Sequence, residues 1–191
     1  TAMRQPFASL SALCAASAPS VTLLLLFSPF KPMTTAPTLR PATAADVPRL
    51  VQLLTQISLL HHEARPDLFG IGQKYDASEL LALINDPMHW VFVADVPGMA
   101  VAGYAICQQQ DPEASRVLCP VRTFYLDDLC VDRACQGQGV GTALMQAVRQ
   151  EAVRRHCHHL TLHVWQGNDS ARTFYEAQGL RPMYTAMECL L

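Results

Sequence analysis

Apolar side chains recur at helical spacing soon after residue 43, at Val47, Leu50, Val51, Leu54 and Ile57. Thr43 and Asp46 stand ahead of them as a capping-box-like start, so a helix is expected here, with a short strand over TLRPAT before it. HHEARPDLFG interrupts with Pro66 and Gly70, and Asp76 and Glu79 then open a second helix carrying Leu80, Leu81 and Ile84. HWVFVADV and MAVAGYAICQQ flank the turn dipeptide Pro97-Gly98, which predicts an antiparallel hairpin. Past the polar loop QQDPEAS, RTFYLDDLCV gives a third long strand.

That strand runs into CQGQGVGTALMQ, where glycines fall at 137, 139 and 141. Val140, Ala143, Leu144, Ala147 and Val148 then mark one apolar helix face, with Gln146, Arg149, Gln150 and Arg154 opposite. HLTLHVW alternates Leu160, Leu162 and Val164 against Thr161, His163 and Trp165, a strand pattern. Asn168 to Ser170 supply cap residues for a last helix that Gly179 ends, and LRPMYTAMECLL is expected to close with one or two strands. The order predicts an α/β fold with a single mixed sheet flanked by helices.

The chain has 191 residues, half of them apolar and 16% charged, which suits one globular domain over residues 38–191. Residues 1–37 differ in composition, being rich in Ser, Ala and Pro; they are expected to be a dispensable leader, with Met33 a natural start of the folded unit. Their apolar burst, Val21 to Phe27, is far shorter than the roughly 20 residues that a membrane helix needs. A net charge of −2 and no long basic run argue against a nucleic-acid partner. Seven scattered cysteines without a CxxC pair suggest neither a disulfide framework nor a zinc ribbon, and fit a reducing, cytoplasmic setting.

Strand, glycine loop and helix in succession suit anion binding, because the first helical N–H groups lack partners and the helix dipole adds positive charge there. A tight turn with close helix–sheet packing is the alternative use of the same glycines. A P-loop needs Lys after its glycines and has Thr142 here; the dinucleotide fingerprint needs a third glycine where Thr142 stands. Gln136-Gly137-Gln138-Gly139-Val140-Gly141 instead resembles the Gln/Arg-x-x-Gly-x-Gly/Ala signature of the GNAT acetyltransferase superfamily. NDSARTFYEAQGL resembles a second segment of that superfamily through Asn168, Ala171, Phe174, Tyr175, Gly179 and Leu180. FYLDDLCVD resembles its central strand, nearest to the spermidine/spermine acetyltransferase branch. Gln136 stands where arginine is common, so a guanidinium contact to phosphate is missing at that position.

The resemblance implies a mostly antiparallel mixed sheet and acetyl-CoA as co-substrate, with its pyrophosphate gripped by the loop from Gln136 to Thr142. It also implies backbone contacts from Leu129, Cys130 and Val131 to the donor arm, one of their N–H groups serving as oxyanion donor, and contacts from Asn168 and Ala171. Tyr175 is implied as the acid that protonates the leaving thiolate, a step worth roughly 10²–10⁴-fold; a core tyrosine is the alternative. By the resemblance Asp127 occupies the position of a base, directly or through water, with a sheet-edge carboxylate paired to a backbone N–H or an arginine as the alternative; Asp128 could equally bind the substrate's positive charge. Strand alternation would let at most one of the two face the cleft. Glu63, Asp67 and Phe69 lie where the first two helices wall the acceptor site, and a solvated helix end is the alternative there. The histidines at 156, 158, 159 and 163 cross from a helix end into a strand and do not converge as metal ligands, so no metal is expected. The expected acceptor is a small-molecule amine, with a protein amine or a non-catalytic acyl-CoA-binding module as alternatives. Superfamily members often form homodimers.

Overall fold

The computed structural model describes residues 36–112 and 115–190. The expected leader lies almost wholly outside the described residues. Strand β1 (Thr38–Pro41) leads through one 3-10 turn into α1 (Val47–Ala64). Asp46 Oδ2 accepts from both the Thr43 N–H at 2.8 Å and the Thr43 hydroxyl at 2.9 Å, which fixes the chain's entry into the helix. Helix α2 (Ala77–Asn85) begins in the same way, with Asp76 accepting from the amides of Ser78 and Glu79.

The hairpin β2 (His89–Val96) and β3 (Met99–Gln110) forms around Gly98, whose φ of 84° meets the turn's need for a left-handed residue. Strand β4 (Thr123–Val131) follows, then α3 (Val140–Arg154), β5 (His159–Thr161) and α4 (Asp169–Ala177). The five strands run in the order β1-β2-β3-β4-β5, antiparallel except for the parallel pair β4 and β5.

Alternate sheet positions feed two cores. Leu50, Leu53 and Leu54 of α1 and Leu80 of α2 pack on Val93, Tyr104 and Ile106. On the other face Leu144, Met145 and Val148 of α3 pack on Ala105, Cys107 and Phe124, with Phe174 and Tyr175 of α4 at the margin. Each fully buried aliphatic side chain contributes about 1.5–3 kcal/mol. No helix among the described residues is long and apolar enough to cross a membrane.

Two strand expectations are corrected. The closing strands do not form: residues 180–190 pair with no strand of the sheet, and Met183, Tyr184, Met187 and Leu190 stay exposed. Pro182 also removes a ladder donor there. The expected strand over HLTLHVW shortens to His159–Thr161, because pairing with β4 runs only from Thr123 to Tyr125. Beyond Tyr125 the two strands part, and β4 continues to Val131 paired on one edge alone.

Candidate active site

The seam between β4 and β5 opens next to the two carboxylates. In the β3–β4 ladder Cys107 faces Leu126 and Ile106 faces Asp128, so Asp127 is an extra residue without a partner. This bulge breaks the alternation. Leu126 belongs to the α3 core, whereas Asp128 faces Ile106 and Cys130 faces Tyr104, both on the α1 side. Asp127 also turns to that side, where Tyr75 donates to its Oδ2 at 2.6 Å and Lys74 Nζ lies 2.8 Å from its Oδ1. Both carboxylates therefore share one face, against the expectation from strict alternation.

Burial, then the Asp127 charge, push the Asp128 carboxyl up to about 6, while the Lys74 ammonium works in the opposite direction. Tyr104 is fully buried, and among the described residues no atom meets its hydroxyl with hydrogen-bond geometry, though Asp128 lies close enough to act on it. Burial first, and then the nearby Asp128 charge, raise its pKa well above a phenol's usual value. Tyr75 is raised as well, by burial and by its bond to Asp127.

Tyr175 comes from the opposite side, on α4, its ring 5.2 Å from that of Phe174. Burial, with the Asp128 charge second, holds its phenol protonated far above neutral pH. Among the described residues its hydroxyl makes no hydrogen bond, so it remains available to an incoming group.

The glycine loop divides its work. Gly137 and Gly139 hold φ of 71° and 84°, a left-handed conformation that only glycine takes readily. Gly139 is the N-cap of α3 and brings no side chain to cap it, and no atom lies within 4 Å of where its Cβ would stand. Among the described residues nothing crowds Gly139 at the start of α3, where the first helical amides lack intrahelical partners and suit an anionic group. Gly141 serves packing instead, since a Cβ there would meet the Phe174 ring at 3.2 Å. Gln136 donates to the Val131 carbonyl at 3.3 Å and Gln138 to the Ala134 carbonyl at 2.8 Å, so both side chains tie the loop down and leave its amides free. Thr142 accepts weakly from Gln178 at 3.4 Å.

Other predicted residues are more occupied. Asn168 Oδ1 caps α4 by accepting from the Ala171 amide at 3.1 Å. Asp67 is held by Arg65, which also reaches Glu188. Glu63 is exposed, and Phe69 packs edge-on to Trp165 at 5.1 Å. Cys130 packs under α1 with its thiol pushed up to about 12 by burial, and Cys135 is buried. His159 bonds with Thr123 and lies edge-on to His158 at 5.2 Å, and His163 sits between Tyr125 and Tyr184. Lys74, Tyr75 and Tyr104 escaped the sequence reading. The capping box at Asp76 was a usable signal, because it sets Lys74 and Tyr75 just outside a helix start.

The sheet parts beside two adjacent carboxylates on its α1 face, while the uncapped start of α3 and the protonated phenol of Tyr175 belong to the other face. Residues 56–180 match the acetyltransferase (GNAT) family, and the chain belongs to that family. It is 26% identical over 137 residues to thialysine N-epsilon-acetyltransferase of Bos taurus, covering 71% of this chain and 72% of that protein. A mutant of the BH1408 protein from Bacillus halodurans superposes with a TM-score of 0.78 at 25% identity, over 81% of this chain and 99% of the other. An aminoglycoside acetyltransferase from an uncultured soil metagenomic sample shares the fold with a TM-score of 0.58 at 21% identity, over 81% and 96% of the two chains. The chain is an acetyl-CoA-dependent N-acetyltransferase.

Proposed function

We propose that the enzyme moves an acetyl group from acetyl-CoA to a primary amine of a small cationic molecule, by direct attack within a ternary complex. The bulge at Asp127 carries this reading. It turns two adjacent carboxylates onto one face where an alkylammonium can be received and deprotonated. An amine of ordinary pKa near 10.4 must lose a proton before it attacks, and a carboxyl raised to about 6 is a better acceptor for that proton than an unperturbed one. Asp128 is accordingly assigned as base, directly or through water, and Asp127 as the anchor for positive charge. This reverses the expected division of labour between them. Tyr175 returns a proton to the departing thiolate.

For the donor, the amides at the start of α3 and the loop from Gln136 to Thr142 would hold the pyrophosphate. The free edge of β4 from Leu129 to Val131 would pair with the arm that carries the thioester. The curated bovine relative is named for acting on thialysine, an amine substrate, which supports the acceptor class. A reducing, cytoplasmic setting accords with the free thiols at Cys107, Cys119, Cys130, Cys135, Cys157 and Cys189.

The test is thiol release from acetyl-CoA across polyamines, amino acids, aminoglycosides and peptides. Turnover is expected with one or more small cationic amines, and Tyr175→Phe should cut it roughly 10²-fold or more with little change in donor affinity. Turnover with peptides alone would refute the small-molecule assignment. Unchanged turnover in Tyr175→Phe would remove that residue from the mechanism.

A further inference from the structure

The acceptor carboxylates already carry an alkylammonium, and it is the chain's own. Lys74 Nζ lies 2.8 Å from Asp127 Oδ1 and donates to the Asp127 carbonyl at 3.2 Å. It is the one lysine among the described residues; the chain's other lysine is Lys31. Its side chain remains 42% exposed, on the connection between α1 and α2, so the amine is held by the ion pair and not walled in. The neighbouring Tyr75 hydroxyl takes the other oxygen of the same carboxylate at 2.6 Å, which fixes the carboxylate's orientation toward Lys74. A primary amine on an unbranched alkyl stem, seated on the receiving carboxylate, is chemically the kind of acceptor that the site is built to use.

We propose that Lys74 is an internal acetyl acceptor, a self-modification site used when the donor is bound and no external amine is present. The inference rests on the acetyl-transfer reading of the site. The Lys74 ammonium gives a proton to the Asp127–Asp128 pair. Its freed lone pair forms the C–N bond at the thioester carbonyl, the C–S bond breaks with its electron pair going to sulfur, Tyr175 supplies the proton that completes the thiol, and the second proton on the new amide nitrogen leaves to water. Both proton sites then re-equilibrate with water. The product is a neutral amide, so the ion pair with Asp127 is lost and that carboxylate is left open to an external ammonium.

The full chain is incubated with acetyl-CoA alone, and acetyl groups are located by peptide mass spectrometry, alongside a thiol-release assay with an external amine. Lys74 should gain an acetyl group at least about tenfold faster than Lys31, through its enforced proximity to the reacting centre. The rate per chain should be independent of protein concentration, slowed by a competing amine, and roughly 10²-fold lower in Tyr175→Phe. Lys74→Arg keeps the cation, cannot be acetylated, and should lose this label. If Lys74 stays unmodified, or is labelled no faster than Lys31, while thiol is released with the external amine, the internal-acceptor role is overturned and the enzymatic reading stands. If neither Lys74 labelling nor thiol release with any amine occurs, both are overturned.

Discussion

Asp128 shows how one side chain couples stability to chemistry. Ile106 and Cys130 lie beside it in the sheet, and Lys74, Asp127, Tyr104 and Tyr175 supply the titratable groups around it. Because burial raises its pKa to about 6, the fold favours the neutral carboxyl. That preference stabilises the protein below the ordinary carboxylate value near 4 and is lost as pH rises through about 6. On the proposed assignment of Asp128 as base, the base forms over the same window, so activity should rise as stability falls. Asp128→Asn is expected to abolish the limb near pH 6 in kcat/KM and to lower turnover. With a discount for the side chain's partial exposure, it should stabilise the protein by about 1–2 kcal/mol at neutral pH. Denaturant titrations at acid and neutral pH, beside a pH–rate profile, check both effects. A variant that keeps the limb would return the base role to Asp127.

At the level of elements, Gly139 and Gly141 divide the loop between the proposed donor binding and packing. Gly141→Ala drives a methyl into the Phe174 ring at 3.2 Å and should loosen α4 against α3, costing about 1–3 kcal/mol. Gly139→Val meets no protein atom, but its φ of 84° is strained for a β-branched residue, and the new side chain would crowd the α3 mouth. The expected outcome is a lower melting temperature for the first variant and a larger loss of donor affinity for the second, read by thermal melts and calorimetric titration. The converse pattern would reverse the two assignments. Helix starts at Thr43 and Asp76, the turn at Pro97-Gly98 and the loop itself were legible in the chain, because each is written in local side-chain chemistry. The bulge was not, since neither Asp127 nor its neighbours is a glycine, and the extra residue exists only in register with β3. The absent final strand escaped for the same reason: residues 180–190 can be extended, but whether they join a sheet edge is decided by tertiary contacts and not by the local pattern. Lys74 and Tyr75 were invisible as site residues because a loop's reach is set by tertiary packing, not by periodicity.

On the scale of the whole molecule, two cores press on one sheet and leave β4 half-paired from Leu126 to Val131. The amides along that open edge should exchange with deuterium quickly in the free protein and be slowed when acetyl-CoA is added, together with those at the start of α3. Protection elsewhere but not at these two places would overturn the donor assignment. Such a seam also leaves the protein thermodynamically unfinished, with part of its hydrogen-bonding capacity reserved for a guest. Its melting point then belongs to the mixture and not to the chain alone: a guest at a hundred times its dissociation constant adds about 2.7 kcal/mol. Preparations stripped of that guest will be softer than the same protein kept in its company.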